Sequence, residues 1–189
     1  MALSHLWGMR ARFLCVILPP AELAEWVVRQ REVLHGMIGS FSGRNLQPHV
    51  TLFFADLDQE HEGSICEALA KGVVGQAPFD LGYHGIIHFP NRRTIYVDPM
   101  EKERIAPLRN ALIRALQHLP EVASALRQTD HPHLTIAAGL KPAQFEKAWA
   151  LLSPHEVQAT GRVGEAVLLK RLLRPGERYV PVRAFPLVG

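Results

Sequence analysis

The chain holds two cysteines in 189 residues, Cys15 and Cys66. They lie far apart and form no C-x-x-C pair. That argues against a disulfide framework or a zinc knuckle, and it fits a reducing compartment such as the cytoplasm. No apolar run approaches the length that crosses a bilayer, so no membrane association is expected. The run at residues 13–18 is short and stops at Pro19-Pro20. A secretory leader needs a longer apolar core and a small-residue cleavage site, so this run reads as a first strand. Neither a nucleoside-triphosphate loop nor a dinucleotide fingerprint is present. Excess charge is scarce too. With 21 Lys+Arg against 18 Asp+Glu, the net charge of +3 permits a polyanionic ligand without demanding one.

What remains is the composition of an ordinary globular protein, 48% hydrophobic and 21% charged. The length suits one large domain or two small, intimate lobes. Ten histidines are many for this length, though the number alone assigns no role. Nothing in the sequence speaks to oligomeric state.

Hydrophobic periodicity orders the chain. The strand at 13–18 is followed by a helix with Leu23, Trp26, Val27, Gln30 and Leu34 on one face. After a Gly/Ser-rich loop at 36–43 comes a strand at 49–55, a helix near 62–74 and a strand at 79–89. The order then begins again. A strand at 94–97 leads to a helix striped by Ile105, Leu108, Leu112 and Leu116. A strand at 133–138 and a helix carrying Phe145, Ala148, Trp149 and Leu152 follow. Residues 165–173 and 178–187 read as two closing strands around Pro175-Gly176.

Two runs at matching points of this repeat echo each other: His49-Val50-Thr51-Leu52 and His133-Leu134-Thr135-Ile136. On a strand, alternate side chains share a face. His49 and Thr51 point one way while Val50 and Leu52 enter a core, and the second run does the same. The duplicated β-α-β-α-β order implies two lobes related by a pseudo-twofold, with the two motifs facing each other across a cleft. The expected fold class is α+β. Each lobe is a mainly antiparallel sheet with helices packed outside, and residues 1–189 form one domain whose halves meet near residue 90.

Paired, hydrophobic-flanked His-x-Thr tetrads resemble those of the 2H phosphoesterases, in the group of 2′-5′ RNA ligases and RNA 2′,3′-cyclic phosphodiesterases. The opening strand at 13–19, the loops Gln47-Pro48-His49 and Pro132-His133, and the run Gly176-Glu177-Arg178-Tyr179 are similar to that family too. The chain departs from it after each tetrad. Phe53-Phe54-Ala55-Asp56 stands where Phe-Leu-Gly is common, and Ala137-Ala138-Gly139 stands where a basic residue is common.

The resemblance implies a metal-independent phosphodiesterase with no cofactor. Its substrate would be RNA or a nucleotide bearing a cyclic phosphate or a 2′-5′ linkage. His49 and His133 would be the acid–base pair, because an imidazole titrates near working pH. Thr51 and Thr135 would donate to the phosphate oxygens. His49 is taken as general acid and His133 as general base. Arg93, Phe53, Arg178 and Tyr179 are candidate substrate contacts, the arginines for phosphate and the rings for a base.

Two rival readings stand beside this one. A metal hydrolase would use His131, His133 and His49 as ligands, although Pro132 and Asp130 place His131 in the entering loop. A non-catalytic RNA-binding module would use the late basic residues Lys170, Arg171, Arg174, Arg178 and Arg183, which strand alternation splits between faces.

Overall fold

The structure, a computed structural model, describes residues 9–189. Residues 1–8, the expected start of the domain, lie outside the described residues. In the first half, β1 (Arg10–Ile17), α1 (Ala21–Ile38), β2 (Val50–Asp58), α2 (Glu62–Gly72) and β3 (Phe79–Phe89) follow one another. The second half contains β4 (Thr94–Pro99), α3 (Lys102–Leu116), α4 (Pro120–Ala125), β5 (Leu126–Gln128), β6 (Leu134–Ala137) and α5 (Pro142–Leu152). It ends with β7 (Gln158–Val163), β8 (Glu165–Leu172) and β9 (Val180–Pro186).

The strands form one sheet in the order β7-β3-β4-β6-β2-β1-β8-β9, with β5 added on β2. The ladders are antiparallel. The lobes are its two wings, joined where Val50 of β2 pairs with Leu134 of β6. The wings exchange strands. β3 of the first half pairs with β4, and β8 and β9 of the second half lie beside β1. The wings therefore do not follow a division of the chain near residue 90.

Burial separates the two faces of the sheet. Val50, Leu52, Leu134 and Ile136 join buried residues of the helices in one large core. In α1 the buried stripe is Leu23, Val27, Arg31 and Leu34, so the polar member of that face is Arg31 and not Gln30. Pro20 stands at the N-cap of α1, and Gly39, at φ 73°, follows its last residue. The opposite sheet face carries a small cluster, Leu14, Val16, Val167 and Leu169, and is otherwise open. No described helix is long and apolar enough to cross a membrane.

Three elements have no counterpart in the periodicity reading: α4, β5 and β7. β5 is only three residues long. β7 is Gln-Ala-Thr-Gly-Arg-Val, an outer strand with a glycine at its centre. That glycine has a packing cause. A Cβ on Gly161 would lie 2.9 Å from Cδ of Pro20 and closer still to its Cγ. Gly161→Ala is therefore expected to cost about 1–3 kcal/mol through overpacking. Gly164→Ala, where a Cβ meets open space, is expected to leave stability within about 1 kcal/mol of the parent. Urea unfolding of the two variants checks the difference.

Candidate active site

Each tetrad is delivered by a loop that ends in a buried proline. Pro48 and Pro132 are buried, and His49 and His133 follow just before β2 and β6 begin. His49 Nδ1 lies 2.7 Å from the carbonyl oxygen of Gln47, and His133 Nδ1 lies 2.7 Å from that of His131. A carbonyl only accepts, so each Nδ1 must carry the proton and donate it. Each neutral ring then leaves Nε2 as its free acceptor.

The local backbone repeats as well. On β2, Thr51 pairs with Val16 and Phe53 with Cys15, which leaves Leu52 as an extra residue. On β6, Thr135 pairs with Tyr96 and Ala137 with Ile95, which leaves Ile136 extra. Both tetrads thus carry a β-bulge at their fourth position. The Val50–Leu134 pair is antiparallel. Continuing its register by one residue sets His49 towards Thr135 and Thr51 towards His133. All four project from the face opposite the core, half-buried, while Val50 and Leu134 go inward.

The cleft on this face has a volume of about 760 Å³ and is lined by His49, Thr51 and His133. The His133 ring is held by aromatics. The rings of Phe89 and Tyr96 lie 5.0 and 5.2 Å from it, edge-on. His49 has a cation behind it in Arg31, which is 2% exposed. Arg31 donates from Nε to Ile136 O at 3.1 Å, from Nη2 to Thr135 O at 2.7 Å, and from Nη1 to Leu46 O. It thereby ties α1 to the loop before His49 and to the bulge of the second tetrad. Burial without a carboxylate lowers its pKa to about 10.

Both imidazoles have pKa values below the usual histidine range. For His49 burial is the main cause, with Arg31 and His133 adding repulsion. For His133 burial again leads, with Arg92, His131 and Lys102 adding to it. Their carbonyl partners pull the other way and do not win.

The remaining expected contacts divide. Tyr179 lines the cleft. Arg178 lines an adjoining cavity instead, and both residues precede β9 rather than open it. Phe53 is 2% exposed and sits in the main core, so it does not wall the cleft. The bulge at Leu52 reverses the alternation beyond it and turns Phe54 to the open face, where it lines the cleft. Arg93 occupies a turn at φ 44° and donates to Leu140 O at 2.8 Å. Its neighbour Arg92 lines the cleft instead. His131 is exposed, and among the described residues no three His, Cys, Asp or Glu side chains are grouped as metal ligands.

Some contributors escaped the sequence reading. Arg31, Tyr96, Phe89 and Arg12 are the clearest. Arg12 forks onto Asp56, with Nε and Nη2 each 2.6 Å from a carboxylate oxygen, and its guanidinium lies 4.6 Å over the Phe54 ring. Tyr96 carried a signal in its alternation with Ile95 and Val97. Arg31 carried one in its spacing of four from Val27.

A family model described as the 2′-5′ RNA ligase superfamily matches residues 19–174. The chain belongs to that superfamily. The paired tetrads agree with this membership and with the wider 2H phosphoesterase group. A member named RNA 2′,3′-cyclic phosphodiesterase, from Geobacillus stearothermophilus, is 31% identical over 148 residues, which is 75% of this chain and 46% of that protein. The chain spans about half the length of that curated relative. In fold, it is similar to Escherichia coli LigT complexed with 3′-AMP, with a TM-score of 0.67 and 19% identity over 96% of this chain and 99% of that one. It is also similar to TT0787 of Thermus thermophilus, with a TM-score of 0.69 and 22% identity over 94% and 98%.

The two adjacent phenylalanines lie on opposite faces, Phe53 in the core and Phe54 in the cleft wall, and their substitutions are expected to differ. Phe53→Ala is expected to cost about 3–5 kcal/mol in urea unfolding. Phe54→Ala is expected to raise KM for a nucleotide substrate about tenfold while costing less stability than Phe53→Ala. Arg31→Met would leave three carbonyls without their donor, and a loss of about 1–3 kcal/mol is expected by the same measurement.

Proposed function

We propose that this chain is a cyclic phosphodiesterase. It would open the 2′,3′-cyclic phosphate of an RNA end or a related nucleotide by acid–base catalysis between His49 and His133, without a metal ion. The observation that supports the reading best is the matched pair of tetrads on one open sheet face. Each histidine has its Nδ1 held by a carbonyl and its Nε2 free. The superfamily membership and the curated relative's name favour the same class.

Ring opening needs water to attack phosphorus in line with the departing ribose oxygen. A neutral imidazole takes the proton from water through Nε2. A protonated imidazole gives the Nε2 proton to the leaving oxygen. Thr51 and Thr135 donate to the non-bridging oxygens as the phosphate passes through its crowded transition state. Because the two rings are held in the same tautomer, their roles follow from which ribose oxygen faces which ring. The phosphate position in the product reads this out. With a ribose 5′-hydroxyl in place of water, the same pair would form a 2′-5′ linkage.

Phe54 and Tyr179 offer rings for a nucleobase and Arg92 offers a cation for the phosphate. We place the protein in the cytoplasm, consistent with its two free cysteines. All 189 residues would act as one domain of two lobes.

The pH dependence follows from the two lowered pKa values. Activity requires one ring neutral and one protonated, and near pH 7 both are largely neutral. The singly protonated pair becomes more abundant as pH falls below 7, and is lost again once the second proton binds. The kcat/KM profile is therefore expected to be a bell with its maximum below pH 6.5, the two limbs belonging to the coupled pair. A nucleoside 2′,3′-cyclic phosphate assayed in excess chelator tests this. His49→Ala and His133→Ala are each expected to lower kcat by about 10²–10⁴-fold. Turnover by the double-alanine variant, or activity abolished by chelator, overturns the proposal. Salt-sensitive RNA binding without any turnover would point to a binding module instead.

A further inference from the structure

A second cavity, of about 440 Å³, opens beside the cleft and shares Leu46 and Tyr179 with it. Its walls come from segments far apart in sequence. The loop between α1 and β2 brings Arg44. The end of β8 and the turn after it bring Arg171 and Arg178. Strand alternation does split the late basic residues, since Lys170 pairs with Glu62 while Arg171 faces this cavity. Arg44 restores a cluster that neither segment has alone.

The charge of this cavity is poorly answered from within. Its one carboxylate, on Glu177, accepts from Arg174 Nε at 2.6 Å. Arg44 reaches Glu32 through Nη2 at 3.0 Å, but its Nε is buried without an acceptor. Arg171 Nε is buried without an acceptor too, and its guanidinium lies 5.2 Å over the Tyr179 ring. Among the described residues, Arg171 and Arg178 make no ion pair. Arg171 and Arg178 thus line the cavity with positive charge that no carboxylate answers, and an anion entering it meets both beside Arg44. Phosphate oxygens match guanidinium edges in both geometry and charge.

We propose that this cavity binds a second phosphoryl group of the substrate, the phosphodiester on the 5′ side of the terminal ribose of an RNA strand. The inference rests on the phosphodiesterase reading, since the cyclic phosphate must lie at His49 and His133. Tyr179, shared by the two cavities, spans the nucleoside between the two phosphates. The protein thus discriminates an RNA end from a mononucleotide by its second charge.

The test compares kcat/KM for a nucleoside 2′,3′-cyclic phosphate, a dinucleotide with the same cyclic end, and ADP-ribose 1″,2″-cyclic phosphate, whose added phosphoryl groups form a pyrophosphate. The dinucleotide is expected to exceed the mononucleotide by about 10- to 100-fold. That ratio is expected to collapse towards one in Arg44→Gln combined with Arg171→Gln, with unchanged melting as the check on folding. In the parent protein, the dinucleotide's log Kd is expected to depend more steeply on log salt, by roughly 0.7. Equal efficiencies, or a preference that survives both substitutions, overturn the subsite. A preference for the pyrophosphate compound over the dinucleotide overturns the RNA assignment. Calorimetric binding of the dinucleotide and the mononucleotide separates the two claims. Tighter dinucleotide binding with no turnover sinks the phosphodiesterase reading alone. Turnover without a dinucleotide preference sinks the subsite alone.

Discussion

Val50 and Leu134 face each other where the two wings of the sheet meet, and the geometry of the site descends from that pairing. Each is the second residue of its tetrad. Pairing the two middles antiparallel puts the flanking His and Thr of both tetrads on one face, with each histidine set towards the other motif's threonine. A shift of register by one residue would turn one tetrad's His and Thr into the core and its aliphatics into the cleft. The core prevents that shift. Val50, Leu52, Leu134 and Ile136 are all fully buried against the helices. Hydrophobic burial on one face thereby fixes polar placement on the other.

The pseudo-twofold holds at the tetrads and fails just outside them. Beyond Val50, β2 takes β5 as a partner. Beyond Leu134, β6 has no such strand among the described residues. The guanidinium of Arg31 meets the carbonyls of Thr135 and Ile136, and Ser42 bridges to Ala138. One bulge is supported by a strand and the other by a buried cation. The rings differ in the same way. His133 is packed by Phe89 and Tyr96, whereas His49 feels the Arg31 charge. Burial leads in lowering the pKa of both imidazoles, and they differ in the cations that add to it, Arg31 for His49 and Arg92 and Lys102 for His133.

Much of this was legible from residue types. Alternation in the tetrads placed His49, Thr51, His133 and Thr135 on an open face, and the helical stripes marked the covered one. The bulges were not legible. Leu52 looks like any strand leucine, yet as an extra residue it shifts the alternation after it, so Phe54 reaches the cleft and Phe53 the core. The exchange of Arg93 for Arg92 has a similar origin. A turn residue at φ 44° aims its side chain by backbone geometry that no periodicity reports. Arg31 was hidden because an arginine four residues beyond Val27 reads as solvated until the carbonyls that surround it are known. What sequence patterns carry is the face of a regular element. What they lose is a one-residue irregularity and a partner far away in the chain.

The charges of the site form a coherent whole once an anion is considered. Burial leads in favouring neutral rings at both histidines, and the field of Arg31 and Arg92 adds to it with the same sign. An arriving phosphate reverses the sign of that field. Under the proposed function it would stabilise the protonated form of whichever ring it meets. Under that proposal, substrate binding and proton uptake would be linked, and one imidazole would gain its proton when there is a leaving group to receive it. Arg12 does not enter this exchange as a free cation, because Asp56 already answers its charge through two bonds. The cleft thus keeps one cation committed to structure beside the Phe54 ring, while Arg92 lines it without an ion pair among the described residues. The cation buried behind the site, Arg31, is held by three carbonyls and, among the described residues, by no carboxylate.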